Sequence, residues 1–169
     1  MNYIAILNPS NRHRVTPTPT IKPTPSPTHS PSPTPITGGA GAIVGVSAKC
    51  LDNYHSQKVN GNIIQLHTCN RTGAQRCSVS AGSGTIVNSN GYCLDTLGGS
   101  TANETPVVLY ECNASSSQQW RIDTSSGVIV NVQSGLCLDD KYSGATDGNP
   151  IWIHNCNGTS AEKWITPLN

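Results

Sequence analysis

The fold is decided by one stretch, YCLDTLGGSTANETPVVLYECNASSSQQW, which runs from Tyr92 to Trp120. It contains two cysteines, an aspartate two places after the first cysteine and an aromatic residue two places before the second. A Gln-Gln-Trp closes it, with the tryptophan eight places after the second cysteine. Similar stretches precede and follow it, so the folded part of the chain consists of three copies of one unit.

The cysteine spacing defines the three units. Within each unit two cysteines lie 19 positions apart, and successive first cysteines lie 43 and 44 positions apart. Because equivalent positions in three copies should occupy equivalent places, each pair is predicted to form a disulfide within its unit. Three pairs of reduced buried thiols are the alternative. The pairs are Cys50 with Cys69, Cys93 with Cys112, and Cys137 with Cys156.

Each unit shows four short strand signals and no helical periodicity. A single four-stranded unit cannot bury its apolar face alone, so three units predict an all-β, closed arrangement with pseudo-threefold symmetry. The second strand of each unit contains Cys-Leu-Asp, and the fourth follows the closing position. The first-strand signals are Ala42–Val44, Thr85–Val87 and Val128–Val130, and the third-strand signals are Ile64–His67, Val107–Tyr110 and Ile151–His154.

The combination of Cys-Leu-Asp, a flat side chain before the second cysteine and Gln-x-Trp resembles the ricin-type β-trefoil family of lectins and carbohydrate-binding modules. The resemblance covers residues 41–169, with repeats at about 41–83, 84–126 and 127–169. It implies a β-trefoil of three four-stranded repeats. It also implies non-catalytic binding of galactose-containing or xylose-containing glycans.

The middle repeat carries the strongest candidate for a binding site. A pyranose presents pairs of hydroxyls that a carboxylate accepts, and an apolar ring face that packs on an aromatic plate. The resemblance assigns hydroxyl binding to Asp95, the plate to Tyr110 and support of the carboxylate to Gln118. Many relatives have an asparagine three places before the tryptophan, but this chain has Ser117. The alternative is that Asp95 only accepts backbone N–H groups at a turn.

The first repeat retains part of this pattern. It offers Asp52, Gln65 and His67, with Gln75 in the supporting position. Gln65 matches a polar position that the family often uses beside its plate. His67 is a flat ring, but it presents less apolar surface than a tyrosine or tryptophan does. We therefore place this repeat second among the three candidate sites.

The third repeat departs furthest from the pattern. It offers Asp139 and His154, but Glu162 replaces the supporting glutamine. A second carboxylate close to the first disfavours ionisation of both, so we rank this site last. Asp139 is also open to the turn interpretation. Trp152 is either an additional sugar contact beside His154 or a packing residue, and we expect packing.

Cys77 is the odd cysteine of the seven. It stands eight places after Cys69, where the other two repeats have Trp120 and Trp164 eight places after their second cysteines. It is either a reactive or intermolecular thiol, or a small buried replacement for the closing tryptophan. We expect the buried replacement.

Charge and residue placement exclude several functions. A net charge of +1 provides no field for nucleic acid or a membrane surface, and no apolar run approaches the roughly 18 residues of a membrane span. His67 and His154 occupy equivalent places in different repeats, so symmetry would keep them apart, and neither a metal nor a cofactor is expected. The three repeat aspartates are separated in the same way, so the close carboxylate pair of a glycosidase is not expected.

The first 40 residues are expected to lie outside the folded domain. Residues 1–14 form an unstructured segment without the features of a secretory signal, although the cysteines indicate a secreted, extracellular protein. We therefore expect a fragment or a module cut from a longer chain. Residues 15–40 form a Pro/Thr/Ser-rich linker, expected as an extended spacer, with a docking site for a proline-reading domain as the alternative.

The sequence thus predicts a secreted module that binds an oligosaccharide or polysaccharide and is tethered to a catalytic or other domain missing from this chain. Two alternatives stay open. One is a β-trefoil protein-interaction or inhibitor domain with decayed sugar sites, and the other is the remnant of a secreted glycoside hydrolase. Four Asn-x-Ser/Thr sequences are either glycan acceptors or turns, at Asn70, Asn103, Asn113 and Asn157.

Overall fold

The computed structural model describes residues 39–45, 47–80 and 82–168. The N-terminal segment 1–14 and most of the proposed linker therefore lie outside the described residues. The first strand begins at Gly39 and pairs with a strand near the end of the first repeat. Gly39 and Ala40, which the sequence assigns to the linker, thus belong to the folded domain, because their backbones form part of its sheet.

The part of the chain that the structure describes consists of short strands joined by turns, six of which are single-turn 3-10 helices, with no α-helix among them. No helix in these residues is long and apolar enough to cross a membrane. The strands are β1 Gly39–Gly41, β2 Val44–Gly45, β3 Lys49–Asn53, β4 Asn62–Thr68, β5 Cys77–Val79, β6 Gly82–Gly84, β7 Val87–Asn88, β8 Tyr92–Thr96, β9 Thr105–Glu111, β10 Trp120–Asp123, β11 Val128–Asn131, β12 Cys137–Asp140, β13 Asn149–His154 and β14 Trp164–Ile165. The 3-10 helices are Tyr54–Ser56, Gly73–Gln75, Leu97–Gly99, Ser116–Gln118, Lys141–Ser143 and Ser160–Glu162.

The same antiparallel hairpin occurs in every repeat, between the Cys-Leu-Asp strand and the long strand that follows it. The hairpins are β3 with β4, β8 with β9, and β12 with β13. Side chains alternate between the two faces along a strand, so the aspartate lies on the same face as the first cysteine, two residues before it. The residue paired with that cysteine on the long strand lies on this face as well. The opposed pairs are Cys50 and His67, Cys93 and Tyr110, and Cys137 and His154.

The three repeats close into a ring because each repeat pairs with both neighbours. The first strand of one repeat pairs with the last strand of the preceding repeat, as β5 with β7, β10 with β11, and β14 with β2. The long strands of the hairpins also meet, as β4 with β9, β9 with β13, and β13 with β4. Pairing from the third repeat back to the first closes the sheet. The predicted all-β architecture with pseudo-threefold symmetry is confirmed.

One side chain per repeat seals the junction with the next repeat by accepting a backbone N–H from it. In the third repeat this side chain is Asp147, which also accepts a hydrogen bond from Lys49 Nζ at 2.7 Å. The contact with Lys49 is the main cause that lowers the pKa of Asp147 to about 2. The three bonds join Asn60 to Glu111 at 2.8 Å, Asn103 to Asn155 at 2.7 Å, and Asp147 to Thr68 at 2.7 Å.

The core consists of equivalent aliphatic side chains from all three repeats together with two tryptophans. Trp120 and Trp164 are almost completely buried, and their indole N–H groups donate to the carbonyls of Leu94 and Leu138 at 3.0 and 2.9 Å. Burial of these large rings, with each indole N–H hydrogen-bonded, makes a large contribution to the stability of a small core. The aliphatic members include Ile43, Leu51, Ile64, Leu66, Ile86, Leu94, Leu109, Ile129, Leu138 and Ile153.

The first-strand signals predicted from the sequence extend too far in two repeats. β2 begins at Val44 and β7 at Val87, so Ile43 and Ile86 precede their strands, although both are fully buried. Their carbonyls instead accept single hydrogen bonds from the backbone N–H groups of Leu51 and Leu94, at 2.8 and 2.9 Å. The β-branched residues at these positions are therefore explained by burial of their apolar side chains and not by continuous strand pairing.

The three predicted disulfides are present within their own repeats, with Cα–Cα distances of 5.1 to 5.2 Å. Cys77 is free and buried, as expected for a small replacement of the closing tryptophan. It pairs with Asn88 in the same register in which Trp120 pairs with Asn131. Burial raises the pKa of the Cys77 thiol to about 12. Little thiolate is therefore present at neutral pH.

We expect Cys77 to be unreactive in the native protein. Without reductant, a thiol reagent at pH 8 should label no cysteine in the folded chain and one cysteine per chain in denaturant, because reaction requires an accessible thiolate. Mass spectrometry after timed quenching measures both states. Rapid labelling of the native protein at Cys77 would contradict the buried placement.

Candidate functional site

Each hairpin brings together the side chains that the sequence singles out in that repeat. Depressions of about 230 and 250 Å³ lie against the hairpins of the first and third repeats. Each is lined by the aspartate of Cys-Leu-Asp, by the residue opposite it, and by the flat side chain two residues further on. The trios are Asp52, Gln65 and His67 in the first repeat, Asp95, Val108 and Tyr110 at the same register in the middle repeat, and Asp139, Trp152 and His154 in the third.

In the middle repeat, a glutamine holds one oxygen of the aspartate and leaves the other without a partner. Gln118 Nε2 donates to Asp95 Oδ2 at 2.9 Å, in a position where both side chains are buried. Asp95 Oδ1 is a buried atom with no hydrogen-bond partner among the described residues. A buried carboxylate oxygen without a donor is costly, so a donor that reached this atom would be bound favourably.

Two backbone groups fix the supporting glutamine in this orientation. Gln118 Oε1 accepts the N–H of Asn113 at 3.0 Å, and Nε2 donates a second bond to the carbonyl of Glu111 at 2.9 Å. Tyr110, opposite Cys93, is 40% exposed and lies on the same face of the hairpin as Asp95. The hydroxyl of Ser117 is hydrogen-bonded to that of Ser115 at 2.9 Å.

In the first repeat, support of the aspartate comes from the residue opposite it. Gln65 Nε2 donates to Asp52 Oδ1 at 3.0 Å. Gln75, which occupies the position of Gln118, donates instead to the carbonyl of Thr68 at 3.0 Å. The sequence offers both glutamines of this repeat beside Asp52, and the side-chain geometry shows that Gln65 is the one that donates to it.

In the third repeat, a tryptophan supplies the support. The indole N–H of Trp152 donates to Asp139 Oδ1, and the Trp152 ring is nearly buried. Glu162 has no N–H group with which to support Asp139, and its two oxygens accept the backbone N–H groups of Asn157 and Gly158 at 2.8 and 2.9 Å. Burial is the main cause that raises the pKa of Asp139, and the Glu162 charge acts in the same direction.

An aromatic surface adjoins this third site, and the sequence analysis missed its most exposed member. Tyr142 is 78% exposed and meets Trp152 edge to face, with 5.2 Å between ring centroids. Trp152 stacks on His154 at 5.3 Å, and Lys141 Nζ lies 5.1 Å from the Trp152 centroid. One feature of the sequence could have indicated Tyr142: it stands three places after the aspartate of Cys-Leu-Asp. This position is the centre of a turn in every repeat, and its φ is positive in all three.

The third site also gathers donor atoms of the kind that bind metal ions. One atom each from Asp139, His154 and Glu162 lie within 4.8 Å of one another. Sequence reasoning considered only the pair His67 and His154, which lie in different repeats. The group formed by the structure lies within one repeat, where His154 joins the two carboxylates that the sequence already places close together.

Comparison with protein families gave a match to the ricin-type beta-trefoil lectin domain over residues 39–164. A comparison with curated proteins gave no match. Among solved structures, the designed threefold-symmetric protein ThreeFoil has a TM-score of 0.70 and 24% identity, over 75% of this chain and 96% of that chain. This similarity, together with the family match, confirms the predicted β-trefoil.

Two natural proteins with similar structures are longer than the region they share with this chain. The exo-β-1,3-galactanase from Clostridium thermocellum has a TM-score of 0.68 and 25% identity, over 75% of this chain and 29% of that chain. A non-toxic homologue of type II RIPs from Momordica charantia was solved in complex with α-methyl-D-galactoside. It has a TM-score of 0.68 and 23% identity, over 78% of this chain and 48% of that chain.

Proposed function

The chain belongs to the ricin-type β-trefoil lectin domain family, and from that premise we propose that its trefoil binds galactose-containing or xylose-containing glycans without catalysis. The observation that carries the proposal is Asp95, whose Oδ2 is held by Gln118 while its buried Oδ1 has no partner among the described residues. A sugar hydroxyl is the donor that this oxygen lacks. The proposal therefore locates the main site in the middle repeat.

Recognition at this site uses two surfaces of the sugar. The Asp95 carboxylate accepts hydroxyl hydrogen bonds on one edge, and charge-assisted bonds of this kind are stronger than those between neutral groups. The exposed ring of Tyr110 packs against the apolar face. Ser117 is shorter than the asparagine common in relatives and its hydroxyl is bonded to Ser115, so it adds little to recognition. One carboxylate and one ring make a site of modest affinity.

The other two repeats are proposed as weaker sites. In the first, Asp52 is supported by Gln65 and lies on the same face of the hairpin as the half-buried His67. In the third, Asp139 is already bonded to Trp152, and the carboxylate of Glu162 opposes its ionisation. We therefore keep the order middle, first, third. Several weak sites on one ring give avidity when they engage one polysaccharide or one glycan-covered surface.

We also propose that the module acts in a secreted protein, joined to a partner domain by residues 15–38. The three disulfides are consistent with an oxidising compartment. The similar galactanase is an enzyme several times longer than the shared region, and the similar protein from Momordica charantia was solved with a galactoside. Both support a tethered module and galactose as the first sugar to test.

We expect Asp95→Asn to weaken binding to galactose or xylose ligands by about 10-fold to 100-fold. The change preserves side-chain size but removes the charge that strengthens the hydroxyl hydrogen bonds, which are worth about 1.5–3 kcal/mol when one partner is charged. Retention on galactose-agarose and on insoluble xylan, followed by calorimetric titration of the retained ligand, measures the loss.

Asp139→Asn is the matched control, because it makes the same change in the repeat ranked last. It should retain most of the wild-type binding, and circular dichroism should show that both variants are folded. Equal binding by Asp95→Asn and the wild type would remove the middle repeat from the proposal. No retention of the wild type on either matrix or on a glycan array would reject carbohydrate binding itself.

A further inference from the structure

We propose that Asp139, His154 and Glu162 form a binding site for a divalent transition metal ion, for which Zn²⁺ is the probe. Their donor atoms lie within 4.8 Å of one another in a depression of about 250 Å³. Zinc bonds of about 2.0–2.2 Å at tetrahedral angles place ligand atoms roughly 3.4 Å apart. The side chains therefore need to close by less than about 1.5 Å to hold the ion. The inference does not depend on sugar binding.

Hydrogen bonds to neighbouring protein groups already orient each of the three proposed ligands, including Glu162, which accepts two backbone N–H groups. His154 Nδ1 lies 3.1 Å from the carbonyl of Asn155, which places the proton on Nδ1 and leaves the lone pair of Nε2 for a metal. Metal-binding histidines are generally held through the other ring nitrogen in this way. Asp139 Oδ1 accepts from Trp152, and its Oδ2 accepts no hydrogen bond from the described residues.

The charge of the site is not neutralised by a protein cation. Asp139 and Glu162 are both buried, and no lysine or arginine among the described residues forms an ion pair with either. Lys141, the nearby cation, lies over the aromatic rings of Tyr142 and Trp152, 5.0 and 5.1 Å from their centroids. Glu104 adds a further carboxylate to the lining. Buried charges are normally paired or coordinate a metal, and among the described residues this pair has hydrogen-bond donors but no lysine or arginine partner.

The donor set favours a transition metal over calcium. Calcium takes six to eight oxygen ligands, whereas this site offers one imidazole nitrogen and two carboxylates. Three protein ligands from histidine and carboxylate side chains, with a fourth position left to water or another ligand, form a usual zinc environment. Tyr142, His154 and Trp152 enclose one side of the depression.

The first repeat provides a natural comparison, because it differs at one ligand position. Asp52 and His67 occupy the places of Asp139 and His154, and His67 Nδ1 also lies 3.1 Å from a backbone carbonyl. The third ligand position holds Gln75, a neutral carboxamide, in place of Glu162. A carboxamide oxygen is a weak zinc ligand, so the first repeat should bind zinc poorly.

The test is equilibrium dialysis of the full chain against Zn²⁺ at pH 7.5, with Ca²⁺ in parallel. We expect one tightly bound zinc ion per wild-type chain and at least about tenfold weaker binding by Glu162→Gln, since one of three ligands is lost. Glu162→Gln should fold normally, because Gln75 and Gln118 occupy the equivalent position in the other repeats. Absence of tight zinc binding by the wild type overturns the proposal, as does equal binding by Glu162→Gln.

A transplanted ligand provides the matched control. Gln75→Glu in the Glu162→Gln background gives the first repeat the same three ligands, Asp52, His67 and a glutamate. This double variant should regain one bound zinc ion. Failure to regain zinc, although circular dichroism shows the native spectrum, counts against the three side chains as the complete ligand set. Calcium bound as tightly as zinc would overturn the assignment to a transition metal.

Discussion

Trp120→Ala is expected to lower the free energy of unfolding by about 3–5 kcal/mol, the usual cost of removing a buried tryptophan. The ring is almost completely buried among core side chains from several strands. Its indole also donates to the carbonyl of Leu94 at 3.0 Å, and this acceptor would lose its partner. Urea unfolding with the disulfides intact, followed by far-ultraviolet circular dichroism, measures the change.

Cys77→Ala is the matched control, because Cys77 has the equivalent register in the first repeat. Removing one buried sulfur atom should cost only about 1 kcal/mol, in proportion to the small apolar surface lost. Similar losses for the two variants would contradict the view that the closing tryptophan anchors the core. The difference between the two losses in free energy of unfolding measures the stabilisation that the first repeat lacks because it has no closing tryptophan.

The second large effect is expected from loss of the Cys93–Cys112 disulfide. The double variant Cys93→Ala and Cys112→Ser should lose about 3 kcal/mol of stability, because a bridge closing a loop of this length restricts the unfolded chain by about that amount. The bridge also joins the strand with Asp95 to the end of the strand with Tyr110. Galactose binding should therefore fall together with the unfolding midpoint.

The equivalent variant in the third repeat separates stability from binding. Cys137→Ala with Cys156→Ser removes a bridge of the same sequence separation, 19 residues, and should lower stability by a similar amount. Because the proposed third sugar site is weak, galactose binding measured well below the unfolding midpoint should change little. An equal loss of binding in both double variants would show that the disulfides act through global stability alone.

The repeat pattern was sufficient to predict most of the fold. Cysteine spacing defined the repeats and the disulfides, and the β-branched runs located the strands because strand side chains alternate between core and surface. The boundaries of β2 and β7 were missed, since Ile43 and Ile86 are buried without continuous strand pairing. The side chains that seal the repeat junctions were also missed, because the backbone N–H groups that donate to them lie 51 and 52 residues away in the sequence.

The candidate sites were predicted less completely. Equivalent aspartates were found by alignment of the repeats, but each is supported by a different residue: Gln65, Gln118 or Trp152. A sequence pattern identifies the position of a side chain, whereas the atom to which it donates depends on rotamers and neighbouring backbone. The proposed metal ligands were not predicted as a group: the sequence indicated that the Glu162 carboxylate lies close to Asp139, but not that His154 Nε2 or Nδ1 lies within 4.8 Å of both.

The ring closure that joins the third repeat to the first also brings the two ends of the described domain together. A Cβ atom on Gly39 would lie 2.3 Å from the carbonyl oxygen of Pro167, and one on Gly41 would lie 3.1 Å from the Pro167 side chain. A short glycine-rich connection could therefore join the two ends without disturbing the sheet. New termini at either remaining repeat junction would then give circular permutants with the same core. In each permutant, a domain fused at the new terminus would be attached next to a different repeat of the trefoil.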